Sequence, residues 1–539
     1  MTDARPAGDR ALLIEADGRA AGLAAAIIRA GLAGIADVIP GARTVLVTWE
    51  PGRWRHPDLA AAIAGLPVDD DPAADLPAVE IPVRYDGPDL AEVAALAEMS
   101  VSEAIEAHQA AEYTVGWLGF SPGFGYLTGL DPRLARVPRL ATPRVSVPAG
   151  SVAIAGGLAA VYPSASPGGW RLIGRTTARL WDPGRAEPSL LTPGRRVRFR
   201  ADRADHGGPA PAAQMPGDAR APVRPAPDGR PAPDGRPASH LEIIRTGPLA
   251  SVQDLGRPGL GAVGVPPSGA ADPAALITAN HLVGNPGGAA GLEFTLGRAA
   301  IRCDGDARLA VTGAPVPVGL AAPDGTERPA PFGAPFEVPG GWVVRLGAPA
   351  AGLRSYLAVT GGIATDPVLG SRSCDLLSGL GGGPLRPGDR LPVGPSAAGP
   401  GSGPGTRPDS GRAAGPAAAR IPGRGETTRL RVLPGPRQDW FDDAALAALC
   451  GSPYTVTPAS NRTGLRLDGP ALPRRHDTEL PSEGMATGSL QVPHDGSPIL
   501  LLADHPPTGG YPVIAVVHSA DLRLAGQLRP GDQVWFRPG

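Results

Sequence analysis

The sequence contains no lysine: its 50 basic residues are all arginine, set against 52 acidic ones. This excludes a Schiff-base lysine, a phosphate-loop lysine and a lysine that carries biotin. Every cationic contact to a carboxylate or phosphate therefore falls to arginine, whose planar fork can hold two oxygens at once. Aromatics are scarce at 4%, so the cores must rest on Val, Leu, Ile and Ala. The three cysteines, Cys303, Cys374 and Cys450, are far apart and form no C-x-x-C, which argues against a zinc knuckle or a disulfide framework. The nine histidines show no H-E-x-x-H or similar spacing. The net charge of −2 creates no global field for nucleic acid or a membrane surface. No apolar run reaches the length of a membrane span, and Arg29 and Asp37 interrupt the longest one. No signal-like core follows the N-terminus, so a cytoplasmic protein is expected.

Glycine (76) and proline (66) make up about a quarter of the chain. Much of that share punctuates short apolar runs, which predicts many short strands joined by tight turns. Residues 10–85 alternate strand (11–16, 43–49, 79–85) with helix (20–30, 56–65), as a small α+β domain would. Helical stretches at 89–97 and 102–111 precede an apolar strand, 113–120, that runs into a glycine-rich loop. Residues 204–239 contain Pro-Ala-Pro-Asp-Gly-Arg twice in tandem, and 396–427 hold almost no large apolar side chain. Neither buries enough surface to offset its ordering entropy, so both are expected to be flexible connectors. The expected division is 1–98 (small α+β domain), 99–203 (barrel), 204–239 (linker), 240–395 (a second barrel region), 396–427 (linker) and 428–539 (a third barrel region).

An internal repeat supports the barrels. Gly150-Ser151 is followed 19 residues after Gly150 by Gly169-Trp170, and Gly488-Ser489 is followed 22 residues after Gly488 by Gly510-Tyr511. Pro193-Gly194 and Pro530-Gly531 then close the two units, each just before an alternating strand. A weaker echo, Leu385-Arg-Pro-Gly388-Asp389, closes the middle segment. Related β units in both halves are the expectation.

Two motif matches fail on their chemistry. Gly119-Phe-Ser121-Pro122-Gly123 fits G-x-S-x-G, but the nucleophile elbow needs an N–H from the residue after the serine, and Pro122 has none. Gly259-Leu-Gly261-Ala-Val-Gly264 fits G-x-G-x-x-G, but Pro266 and Pro267 stand where the phosphate-binding helix should run. The next helix is expected to start at Asp272 as N-cap, with Pro273 at its first position. Two glycine-rich clusters remain. One combines residues 119–126 with Arg144, Gly156, Gly157, Gly169 and Trp170. The other combines Glu483, Gln491, Asp504, Gly509, Gly510 and Tyr511. Each places glycines, an aromatic and polar groups at strand ends, which suits a pocket in a barrel mouth or a purely structural turn cluster.

At these residues the chain resembles a known family. His108, Gly119-Phe120-x-Pro122-Gly123-Phe124-x-Tyr126, Ala141-Thr-Pro-Arg144, Val147-Pro-Ala-Gly-Ser151 and Ser166-Pro-Gly-Gly-Trp170 resemble the C/D branch of the urea amidolyase-related carboxyltransferase family. Ser251-Val-Gln-Asp254, Gly256-Arg257, Ser268-Gly269, Glu293, Ser371-Arg-Ser373, Asn461-Arg462, Ser482-Glu-Gly484, Leu502-Ala-Asp504 and Thr508-Gly-Gly-Tyr-Pro512 resemble the partner A/B branch. That family includes the B-type and C-type components of 5-oxoprolinase.

The resemblance implies a mainly β protein with an α+β N-terminal domain and repeated cyclophilin-like barrels. It implies the B and C components of an ATP-dependent 5-oxoprolinase, with ATP and Mg²⁺ and a separate A-type subunit as partner. Transfer of a carboxyl group from carboxybiotin, or non-catalytic binding of a kinase, are the alternatives. The candidate catalytic groups are Asp504, Glu483 and His108. The candidates for substrate or nucleotide binding are Phe124, Tyr126, Arg144, Gly156, Gly157, Gly169, Trp170, Arg462, Gln491, Gly509, Gly510 and Tyr511. One pocket is expected around His108, Phe124, Tyr126, Arg144 and Trp170, and another around Arg462, Glu483, Gln491, Asp504 and Tyr511.

Overall fold

The computed structural model describes residues 3–69, 76–202, 239–395, 420–423, 425–476 and 478–539. The two stretches read as connectors lie outside these, apart from Ser239, 420–423 and 425–427. Among the described residues, no helix is long and apolar enough to cross a membrane.

The N-terminal lobe is a four-stranded antiparallel sheet in the order Ala4–Pro6, Ala11–Glu15, Thr44–Trp49, Ile35–Pro40. Helices Ala20–Ala30 and His56–Ala64 cover one face, burying Leu23, Ile27, Leu59 and Ile63 against Leu12, Ile14, Val45 and Val47. The first helix ends where Gly31 turns left-handed (φ 56°), the conformation that costs glycine least.

The strand Val79–Val83 does not join this sheet. It pairs in parallel with Arg196–Ala201 and becomes part of a seven-stranded sheet. That sheet runs Arg171–Arg175, Ser151–Ala155, Leu158–Val161, Gly125–Thr128, Tyr113–Leu118, Arg196–Ala201, Val79–Val83. A bridge between Arg84 and Arg175 brings its two ends together, with backbone bonds of 2.8 and 2.9 Å.

Residues 428–539 form a closed barrel: Thr428–Pro434, Val513–Val517, Ser489–Gln491, Ile499–Leu501, Gly464–Asp468, Tyr454–Val456, Gln533–Pro538. The strand order matches that of the first barrel position by position. In both, the first and last strands in sequence pair in parallel. The repeat is therefore structural, and its glycines explain why it is visible. Gly150 and Gly488 (φ 80° and 93°) turn the chain into equivalent strands, and Gly194 and Gly531 (φ 84° and 89°) precede the last ones.

The middle segment differs from the barrel expected there. Residues 239–395 form a six-stranded and a five-stranded antiparallel sheet around one shared core that includes Leu241, Ile301, Leu309 and Leu357. The echo at Leu385–Asp389 is only a local turn leading to the edge strand Arg390–Pro392, which pairs with His240–Glu242. Helix Pro273–Leu282 starts as expected, with the Asp272 side chain accepting from Ala275 N.

Candidate functional site

The first barrel, the middle segment and the last barrel meet at glycine-rich loops. Strand Tyr113–Leu118 ends in a tight loop in which Phe120 takes a left-handed backbone (φ 64°), uncommon for a bulky residue. Gly123 N donates to Val263 O of the middle segment (3.1 Å). On Gly264 a Cβ would lie 2.8 Å from Ser121 O, and on Gly119 it would lie 1.8 Å from Thr508 Oγ1 of the last barrel. The N-terminal lobe joins the same junction through Asp37, whose Oδ1 accepts from Val38 N (2.9 Å) and Gly261 N (3.0 Å). Burial pushes the Asp37 carboxyl up to about 6, with the amides of Gly261, Val38 and Gly259 partly offsetting it. The G-x-G-x-x-G segment is thus a docking loop with one short helical turn, Gly261–Val263, and it opens no phosphate-binding helix.

Behind the junction lies a buried ionic network. Arg462 is 1% exposed and donates to Asp504 (Nε–Oδ2 2.8 Å, Nη2–Oδ1 2.9 Å), to Glu293 (2.5 Å) and to Gly269 O. Burial alone would lower the Arg462 pKa, but Glu293 and Asp504 outweigh it and hold it above the usual arginine value. Glu293, pushed up by burial, is brought below its usual value by Arg462 and Arg354. Asp504 also accepts from Ser268 Oγ (2.8 Å) and Leu376 N (3.2 Å). Tyr356 donates to Glu293 (2.8 Å) and accepts from Asp272 N (2.8 Å). Asp375 is pushed up to about 6 by burial and then by the charge of Asp504.

The expected second pocket is therefore not brought together as one group. Arg462 and Asp504 pair with each other, and the Arg462 guanidinium is committed to protein oxygens. Glu483 sits in a separate latch. Arg437 forks onto both of its oxygens (3.0 Å each from Nε) and also reaches Glu15 of the N-terminal lobe (2.8 Å). Burial raises the Glu483 pKa, and Arg437 partly offsets this. Gln491 is packed on Met485 Sδ (3.1 Å), and Gly509 fits against it because a Cβ there would lie 2.5 Å from its Nε2. Gly510 lies beside Leu480 O, and Tyr511 is 41% exposed.

The first expected pocket also divides. Phe124, Tyr126, Tyr162 and Trp170 form one aromatic cluster with centroids 5.0–5.9 Å apart, and Trp117 stacks on Tyr126 at 4.6 Å. Arg144 pairs with Asp89 (2.6 Å) and donates to Trp170 O (3.3 Å) at the edge of this cluster. His108 is elsewhere in the barrel, against Tyr85, Tyr113 and Phe199, with its Nδ1 2.8 Å from Tyr85 Oη. It is completely buried, and burial pushes it down to about 3, so it stays neutral. That removes it from the aromatic cluster and gives it no solvent-facing proton to move. Gly156 and Gly157 both have positive φ (54° and 86°) and form the two-residue hairpin turn between Ser151–Ala155 and Leu158–Val161. Gly169 O accepts from Leu140 N (2.8 Å).

Other buried polar groups were not among the expected site residues. Ser121 Oγ, Thr508 Oγ1 and the Nε and Nη1 atoms of Arg257 are buried, and among the described residues they have no hydrogen-bond partner. Ser121 thus has no base to activate it, in keeping with the rejected elbow. Arg257 stands in the Gly256-Arg257 motif of the family resemblance, which was the available signal.

The description "Carboxyltransferase domain, subdomain C and D" matches residues 2–191, and "Carboxyltransferase domain, subdomain A and B" matches residues 263–538. The C-type component of 5-oxoprolinase from Escherichia coli (strain K12) is 40% identical over 299 residues, covering 55% of this chain and 90% of that protein. The B-type component of 5-oxoprolinase from Escherichia coli O157:H7 is 54% identical over 124 residues, covering 22% of this chain and 56% of that protein, so the match spans little more than half of the B-type relative. The crystal structure of TTHA0988 is 37% identical and covers 98% of this chain and 99% of that one, with a TM-score of 0.82. The chain belongs to the carboxyltransferase-domain family and carries subdomains C and D followed by A and B in one polypeptide.

Proposed function

We propose that this chain is the combined B and C component of an ATP-dependent 5-oxoprolinase, opening 5-oxo-L-proline to L-glutamate together with a separate A-type subunit. The observation that carries this is the junction itself. The B-type loop at Gly119–Gly123 interlocks with Val263–Gly264 and Thr508 of the C-type half, so the two halves present one composite surface. Covalent fusion keeps the two halves in one molecule, at a high effective concentration for each other.

A lactam resists hydrolysis because amide resonance makes its carbonyl carbon a poor electrophile. Phosphoryl transfer from ATP to the lactam oxygen would activate the carbonyl carbon; water would then add to it, the C–N bond would break with the ring nitrogen leaving as the amine, and hydrolysis would release phosphate. The residues of this chain would bind the lactam and orient it and the attacking water. Buried N–H groups and glycine-loop amides suit an oxyanion or a carboxylate. Asp504 and Glu483 do not suit a resident Mg²⁺, because arginines already occupy the oxygens of both. No step assigned to this chain's residues passes through a metal.

The experiment is to supply the purified chain with two alternative partner systems. With a cognate A-type subunit and ATP it should convert 5-oxoproline to glutamate. With carboxybiotin and urea it should form no carboxylated product. The reverse outcome would replace this reading with carboxyl transfer.

A further inference from the structure

Arg257 is 2% exposed, yet its guanidinium makes one hydrogen bond, from Nη2 to Ser373 O. Its backbone N donates to Pro267 O (2.7 Å), which fixes where the side chain starts. Nε and Nη1 have no partner among the described residues, leaving three buried N–H groups unsatisfied. No carboxylate among the described residues forms an ion pair with it, although Asp375, Asp254 and Asp504 lie within electrostatic reach.

The reason is visible in how those acids are used. Asp254 is taken up by Ser371 Oγ, Ser373 Oγ, Gly256 N and Arg372 N. Asp504 is held by Arg462, Ser268 and Leu376. Asp375 accepts from Leu377 N, Ser378 N and Ser378 Oγ. A buried cation with unsatisfied donors is costly, and an entering anion would remove that cost.

We propose that Arg257 is an anion anchor in the middle segment, taking an anionic oxygen group, carboxylate or phosphate, through Nε and Nη1. This deepens the 5-oxoprolinase reading, and rests on it only for the choice of anions to try. A substrate carboxylate and the phosphate of a nucleotide share this chemistry, and the experiment separates them.

The full chain is titrated calorimetrically with 5-oxoproline, inorganic phosphate and the uncharged lactam 2-pyrrolidinone. Wild type is compared with Arg257→Gln and with Arg257→Lys, which keeps the charge and loses the planar fork. Thermal melting establishes that the variants fold. One of the two anions should bind wild type and weaken on the order of 30-fold or more in both variants. Weakening of 5-oxoproline alone identifies a carboxylate site, and weakening of phosphate alone a phosphate site. Equal binding by wild type and both variants would overturn the proposal, as would no binding of either anion to wild type at millimolar concentration. The parent reading fails separately. In that case the wild-type chain with its A-type partner makes no glutamate, whatever Arg257 does to anion binding.

Discussion

Gly119 of the B-type half and Thr508 of the C-type half approach so closely that a Cβ on Gly119 would lie 1.8 Å from Thr508 Oγ1 and 2.8 Å from Thr508 Cβ. Gly119→Ala should therefore push the two loops apart and lower activity at least tenfold while both halves remain folded. Thr508→Gly in the same chain removes the obstructing atoms, so the double variant should recover much of the lost activity. A double-mutant cycle on kcat/KM measures this coupling. Additive effects of the two substitutions would mean that the contact is incidental.

Arg462 ties Glu293 of the middle sheets to Asp504 of the last barrel. Removing one member of such a buried network leaves uncompensated charges, typically at a cost of about 3–5 kcal/mol. Arg462→Ala should lower the melting temperature sharply and leave the KM values of the surviving folded protein near wild type. An unchanged Tm with a KM raised 30-fold would restore Arg462 to a ligand-binding role.

His108 titrates at about 3 in the folded chain against an ordinary 6.5, because burial disfavours its charged form. Below the ordinary value the unfolded chain binds the proton and the folded chain does not. The contribution of neutral His108 is therefore complete above pH 6.5 and is lost as pH falls toward 3. His108→Gln should flatten stability against pH in that window by up to about 1.4 kcal/mol per pH unit, as read by denaturant unfolding. It should leave the shape of the pH–rate profile unchanged. A lost inflection in that profile would point to proton transfer by His108.

Cleavage within 225–236 should leave the two halves bound to each other on gel filtration. The halves are joined by Ala7, Ala11, Leu13, Ile39 and Leu46 packed with Ala486, by Ala42 N donating to Ser482 O (2.7 Å), and by the Glu15–Arg437–Glu483 latch. Separation of the nicked halves would mean that the tether itself maintains the assembly.

The barrels were legible because their turns need glycine at fixed places, and Gly150, Gly194, Gly488 and Gly531 mark those places in both copies. Helix starts were legible where a side chain caps locally, as Asp272 does. The strand Val79–Val83 could not be assigned to its barrel, because its partner Arg196–Ala201 is more than a hundred residues away and nothing local encodes the pairing. The site suffered from the same nonlocality. Arg462 and Asp504 were named, but Glu293, 169 residues from Arg462, turns that arginine from a candidate ligand group into a buried tie. His108 carried a family motif, and only its packing shows that it belongs to the core. Arg257 sits in a Gly/Pro-rich loop, where no periodicity reveals which way a side chain faces.

The proposed function stands on joint action of this chain with an A-type subunit. The direct test is to measure initial rates of glutamate and ADP formation with the chain alone, the A-type subunit alone and the two mixed, each with ATP and 5-oxoproline. Glutamate and ADP should appear together, in equal amounts, only in the mixture. Glutamate formation by this chain without its partner, or a mixture that consumes ATP and leaves the lactam intact, would contradict that claim.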